Sequence, residues 1–164
     1  MAEADLYEPV KQCLERSLIA VGKRCYLEVA AKRGFSETAK QAIPQGKEIV
    51  FSFLRHKPDI LGFIENQYTK DLITVEVKEA CPNLDDVYQA KLYKEVFEAR
   101  YGFLITGGPI TEELKRLCRT TSPILHSAGD GTYRFLALAQ FDPAAGKFVE
   151  WFEENPFTQS FYWT

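Results

Sequence analysis

The stretch Lys57–Ala80, KPDILGFIENQYTKDLITVEVKEA, decides how the chain is read. Two apolar runs flank the polar turn NQYTKD, which is the pattern of a β-hairpin. In LITVEVK, the residues Ile73, Val75 and Val77 alternate with Thr74, Glu76 and Lys78, so the two sets face opposite sides of a strand. The expected strands are Asp59–Glu65 and Leu72–Lys78. Pairing Glu65 with Leu72 sets Leu61 opposite Glu76 and Asp59 opposite Lys78. Asp59 and Glu76 are then diagonal neighbours, about 7–8 Å apart at Cβ, and their carboxylates can converge on one cation. A slip of one residue would turn one set away from the other.

That convergence has a chemical use. Mg²⁺ is held by one or two carboxylates together with waters and phosphate oxygens. A cation so placed polarises a phosphodiester, and a lysine beside it opposes developing negative charge and positions water. Asp59, Glu76 and Lys78 therefore make a candidate hydrolytic centre. The competing reading is plain: a Glu-x-Lys on an amphipathic strand is commonly just a solvated face with a charged pair.

Working outward, Leu6–Ala20 repeats apolar residues at Leu6, Val10, Cys13, Leu14, Leu18 and Ile19, which predicts a helix with Pro9 in its first turn and Gly22 as its stop. RCYLEVA predicts a strand. SETAKQAI predicts a short helix opened by Ser36, PQG breaks the chain, and EIVFSFL suits either a helix or a strand. After the hairpin, Asp85 or Asp86 can cap a helix reaching about Arg100. YGFLIT predicts a strand, and Thr111 caps EELKRLC. PILHS, TYRFLALAQFD and KFVEWF predict further strands, the last two joined by the turn at Pro143–Gly146. The expectation is an α/β fold in one domain over 1–164, with a core at about 6–106 and a C-terminal strand extension at about 123–164.

Composition narrows the classes. A hydrophobic fraction of 46% over 164 residues suits a folded protein with a sizeable core. No run approaches the roughly 20 apolar residues of a membrane span, and the acidic start MAEADLYEPVKQ is unlike a secretion signal, so a soluble, cytoplasmic protein with no membrane partner is expected. Cys13, Cys25, Cys81 and Cys118 lie far apart without a close pair, which argues against a four-cysteine zinc site. The net charge of −3 speaks against an obligate, strongly basic nucleic-acid binder. Its distribution is uneven: Lys23–Lys57 holds eight basic residues against three acids, hence +5, and the remainder is −8. Such asymmetry suits contact with phosphates on one side, or a merely solvated segment.

Pro58-Asp59 followed by Glu76-Val77-Lys78 resembles the PD-(D/E)xK nuclease superfamily, whose fold is a restriction-endonuclease-like α/β core: a central mixed β-sheet flanked by helices, here with an additional C-terminal β-hairpin. The resemblance covers about residues 6–106. It implies that Asp59 and Glu76 hold Mg (or Mn), with the Val77 carbonyl as a possible third ligand, and that Lys78 activates or orients water. An N-terminal helix in this superfamily often carries a Glu; Glu8 sits where it would be, with Glu15 as its rival. The helix after the catalytic strand often carries Gln-x-x-x-Tyr, and here it reads Gln89-Ala90-Lys91-Leu92-Tyr93, with Gln89 and Tyr93 on one face. The implied activity is metal-dependent hydrolysis of phosphodiester bonds in nucleic acid, DNA ahead of RNA, with a homodimer as a further expectation. The alternatives are an inactive nuclease-fold module that binds nucleic acid or protein, and an unrelated α/β enzyme with a surface ion network. An iron–sulfur variant is rejected, since no cysteine cluster stands near Cys118.

Other residues carry less. His56 and His126 are candidate catalytic groups, though a lone His is more often structural. Gly107-Gly108-Pro109 is a turn, not a phosphate loop, because no Gly-Lys-Ser/Thr follows. Arg116 and Arg119 suit a solvated helix face better than a phosphate contact. The aromatic tail WFEENPFTQSFYWT suits packing on the protein's own core, or on a second subunit, better than stacking on unpaired bases.

Overall fold

The computed structural model of the protein describes residues 1–47, 57–121, 124–125, 135–158 and 163. Its elements are α1 (Ala4–Ala20), β1 (Arg24–Val29), α2 (Glu37–Ala42), β2 (Ile60–Glu65), β3 (Lys70–Lys78), α3 (Leu84–Val96), β4 (Tyr101–Thr106), α4 (Glu112–Thr120), β5 (Phe135–Asp142) and β6 (Lys147–Trp151). The strands form one mixed, open sheet in chain order, β1 to β6. β3, β4 and β5 are parallel, while β1–β2, β2–β3 and β5–β6 are antiparallel. The carboxyl ends of β1, β3, β4 and β5 therefore share one end of the sheet with the start of β2.

Alternation along the strands divides the core. Ile73, Val75 and Val77 of β3, with Tyr101, Phe103 and Ile105 of β4, face α1. On that side Leu6, Val10, Leu14 and Leu18 are buried at helical spacing, and each side chain of this size contributes about 1.5–3 kcal/mol through burial. The opposite face meets the other helices: Leu61, Phe63 and Leu72 pack with Ala39 of α2 and with Tyr93 of α3 and its C-cap Phe97. Leu104, Leu136 and Leu138 pack with Val87 of α3 and Leu114 of α4.

Several local expectations shift. α1 begins at Ala4, so Pro9 falls in its second turn. α3 is capped by Asn83, whose side chain accepts from the Asp86 amide while Asp86 accepts from the Asn83 amide, and it ends at Val96 rather than Arg100. This reciprocal pair satisfies two amides that a cap at Asp85 or Asp86 would leave open. Ser36 and Thr111 cap α2 and α4 as their positions predict. Within PILHS, Ile124 and Leu125 form a buried helical turn, not a strand. EIVFSFL, His56 and His126 lie outside the described residues.

The hairpin register also differs from expectation. Glu65 pairs with Lys70, Leu61 with Thr74 and Ile60 with Val75. The loop is only Asn66–Thr69, closed by the Asn66 amide on the Thr69 carbonyl at 2.9 Å, so β3 starts two residues before Leu72. A two-residue shift keeps every side chain on its face. Its effect is to bring Asp59, just before β2, level with Glu76 instead of Lys78.

The described part of the aromatic tail packs on the protein's own core. Phe157 stacks on Phe103 at 6.2 Å and on Trp163 at 5.2 Å, and Trp163 lies against Tyr101 with its indole N–H on the Pro156 carbonyl. Among the described residues no helix is long and apolar enough to cross a membrane.

Candidate functional site

The start of β2 and the end of β3 place Asp59, Glu76 and Lys78 together. Asp59 is 7% exposed and Glu76 only 3%, an unusual degree of burial for two neighbouring acids. Asp59 is fixed from both ends. Its carbonyl accepts from the Ala30 and Ala31 amides at 2.8 and 3.3 Å, and its Oδ2 accepts from the Val77 amide at 2.8 Å. Within a strand, a residue's N–H and C=O point to the same edge. The Val77 carbonyl therefore faces the Asp59 side of β3, where β2 has not yet begun. Lys78 Nζ lies 3.1 Å from Glu76 Oε1.

Burial and crowding set the electrostatics. Burial pushes the Asp59 carboxyl up to about 6; the Val77 amide and the Tyr7 hydroxyl pull it down, and the charge of Glu3 pushes it up. Glu76 is pushed up to about 8 by burial and then by the charge of Asp59, against the opposing pull of Lys78. Burial disfavours the Lys78 ammonium, but the adjacent Glu76 carboxylate outweighs it, so its pKa is raised overall. Two buried acids thus share one lysine, an arrangement short of positive charge.

The donor set fits a hard divalent cation. Glu76 Oε2 is buried with no hydrogen-bond partner among the described residues, as is Thr74 Oγ1 on the same face of β3. A buried acceptor left open costs free energy that a ligand can recover. A cation at Asp59 and Glu76 would also lower both pKa values. Among the described residues no group of three or more His, Cys, Asp or Glu is placed to hold a metal. For such a cation the protein would supply two carboxylates and the Val77 carbonyl, and waters and substrate oxygens would complete the shell.

The surrounding helices divide the remaining candidates. On α3, Gln89 donates to the Tyr93 hydroxyl at 3.2 Å, and Tyr93 feels the charges of Glu76 and Asp59, so this face looks toward the site. Glu8 is not brought there: it is exposed and engages Lys11 and Gln12 on the outer face of α1. Glu15 likewise pairs with Lys11. The acid of this region that acts on Asp59, Glu76 and Lys78 is Glu3, whose carboxylate accepts from the Tyr7 hydroxyl at 3.2 Å. At 100° per residue Glu3 lies in line with Val10, seven positions on, whereas Glu8 is nearly opposite the buried stripe. Extending the helical period back past Leu6 points to Glu3.

The four cysteines are free thiols, with Cys13 and Cys118 buried, Cys25 half-buried and Cys81 exposed. Arg119 pairs with Glu153 at 2.7 Å. Gly107 and Gly108 are packed against the backbone of Glu79–Cys81, where a Cβ would collide, consistent with a structural turn. The chain matches no model of a known protein family, no curated protein and no solved structure.

Proposed function

We propose that the protein is a metal-dependent nuclease of PD-(D/E)xK type, with a restriction-endonuclease-like core, hydrolysing phosphodiester bonds in DNA. The observation that carries this reading is the buried Asp59–Glu76 pair with its open Glu76 oxygen and Lys78 at 3.1 Å. Asp59 and Glu76 hold Mg²⁺ or Mn²⁺, with the Val77 carbonyl as a further donor. The bound cation supplies Lewis acidity and charge neutralisation at the scissile phosphate. Lys78 orients the attacking water and opposes the negative charge that develops on the phosphate. The Val77 amide holds the Asp59 carboxylate in place, and Gln89 with Tyr93 walls the α3 side.

A second reading, an inactive module of the same fold that binds nucleic acid or protein, is favoured by one observation. Among the described residues no third acid joins the two carboxylates as a metal-holding group, and one of the two is already paired with Lys78.

The test is cleavage of labelled single-stranded, duplex and branched DNA, and of RNA, with Mg²⁺ or Mn²⁺ against EDTA. Asp59→Asn and Lys78→Ala run alongside, each first checked for native folding. Cation-dependent cutting that falls at least about 100-fold in both variants is expected. No cutting of any substrate, with no Mn²⁺ bound, would transfer the assignment to the binding module.

A further inference from the structure

The positive segment Lys23–Lys57 does not spread its charge evenly over the fold. Arg24 pairs with Glu65, Lys40 with Glu37 and Lys47 with Glu98. Lys32, Arg33 and Lys57 are exposed and have no ion pair among the described residues. All three stand at the sheet end that carries Asp59 and Glu76. Lys32 and Arg33 lie in the loop after β1, beyond Ala30 and Ala31, and Lys57 lies two residues before Asp59.

Their loop is fastened rather than loose. The Ala30 and Ala31 amides bond the Asp59 carbonyl, and the Gly34 amide bonds the Ala30 carbonyl at 3.2 Å. At its far side the Ser36 amide and hydroxyl donate to the two oxygens of Glu28, at 3.2 and 2.7 Å. Glu28, the acid nearest in sequence to Lys32, is thereby occupied, and Glu37, the acid nearest to Arg33, pairs with Lys40. The loop turns at Gly34, φ +74°, and the Lys57 ammonium rests 3.3 Å from where a Cβ would stand there. Lys57 thus lies beside the loop that carries Lys32 and Arg33.

We propose that Lys32, Arg33 and Lys57 form a phosphate-binding cluster for the backbone of a DNA strand, on the β1 flank of the Asp59–Glu76 site. The inference rests on the nuclease reading for its substrate class. Its physical basis is need as well as opportunity. The charges of Asp59 and Glu3 repel an approaching polyanion, and unneutralised cations beside them offset that repulsion and release counterions from the strand. Because they meet the sugar-phosphate backbone, they position the strand without selecting its sequence.

The test is equilibrium binding, separate from cleavage. A fluorescein-labelled 20-nucleotide DNA, single-stranded and as a duplex, is titrated in EDTA at increasing salt. The parent is compared with Lys32→Ala/Arg33→Ala/Lys57→Ala. A control, Lys23→Ala/Arg24→Ala/Lys70→Ala, removes the same charge at the opposite end of the sheet, where β1 and β3 begin. With three phosphates no longer neutralised, the slope of log K against log salt should flatten by roughly 2 to 3, so between about 50 and 200 mM salt the parent loses roughly 20- to 40-fold more affinity than the cluster variant. The control keeps the parent's slope. An unchanged slope in the cluster variant, equal losses in both variants, or no DNA binding by the parent at low salt each overturn the cluster. So does equally tight binding of phosphatidylserine vesicles through the same three residues. Because binding is read without metal, a failed cluster leaves cation binding at Asp59–Glu76 untouched, and a failed metal site leaves the salt slopes intact.

Discussion

Replacing Glu76 by Gln isolates the cost of burying two acids side by side. The side chain keeps its size and its oxygen still accepts from Lys78, but it no longer ionises. In the parent Glu76 is displaced from 4.5 to about 8 and Asp59 from 3.8 to about 6, burial being the leading cause in both. A carboxyl whose folded pKa is raised takes up protons on folding. Stability is therefore greatest at acid pH and falls as pH rises from the unfolded value through the folded one. For Glu76 that window runs from about pH 4.5 to about pH 8. Taken whole, such a displacement corresponds to about 5 kcal/mol. Coupling to Asp59 and relaxation around the charged form reduce it to about 2–4 kcal/mol. At pH 5 parent and variant should lie within about 1 kcal/mol of each other. At pH 9 Glu76→Gln should be the more stable by about 2–4 kcal/mol. Urea unfolding in EDTA, followed by the fluorescence of Trp151 and Trp163 in half-unit steps of pH, reads the difference. A stability difference that stays flat from pH 5 to pH 9 would refute the argument.

Other expectations can be checked with the same unfolding assay. Mn²⁺ at about 100 times its dissociation constant should stabilise the parent by about 2.7 kcal/mol and leave Asp59→Asn and Glu76→Gln nearly unmoved; equal stabilisation of all three would place the ion elsewhere. Gly62→Ala in β2 should cost about 3 kcal/mol, because the added Cβ meets the Tyr26 carbonyl oxygen and the Leu27 backbone. A loss below about 0.5 kcal/mol would mean that β1 and β2 separate easily. Glu98 follows the C-cap of α3 with φ +52°, and the Ala99 amide closes on the Lys94 carbonyl at 2.8 Å. Glu98→Gly should therefore gain about 0.5–1 kcal/mol after the exposed Lys47 pair is removed. A destabilised variant would show that this pair outweighs the backbone strain.

Much of this architecture is legible in the sequence because period and burial agree. YGFLIT is β4 residue for residue, and the Ile73-Val75-Val77 alternation of β3 is the division between the α1 face and the α3 face. The site tolerates the difference in register because that difference is two residues, not one. The strand apolar pattern fixes faces with period two, but only the loop length fixes which residues lie level. Lys70 and Asp71 read as turn residues because they are polar, although β3 extends through them. Glu3 is hidden for a related reason: apolar periodicity starts the helix at Leu6, while the first turn is polar and still faces the site. Ile124 and Leu125 mislead because a short apolar run fits a strand and a buried helical turn equally well.

The bond from the Val77 amide to Asp59 spans 18 residues, and every strand in the sheet lies beside its neighbours in the chain. A hairpin of this reach closes in about 1–10 μs, before α3 need dock on the sheet. Asp59 and Glu76 would then meet while water still surrounds them, and the penalty for drying them would arise only as the helices close. Their contribution belongs on the native side of the folding barrier. In stopped-flow experiments Glu76→Gln at pH 9 should slow unfolding by most of its stability gain and leave the refolding rate nearly unchanged.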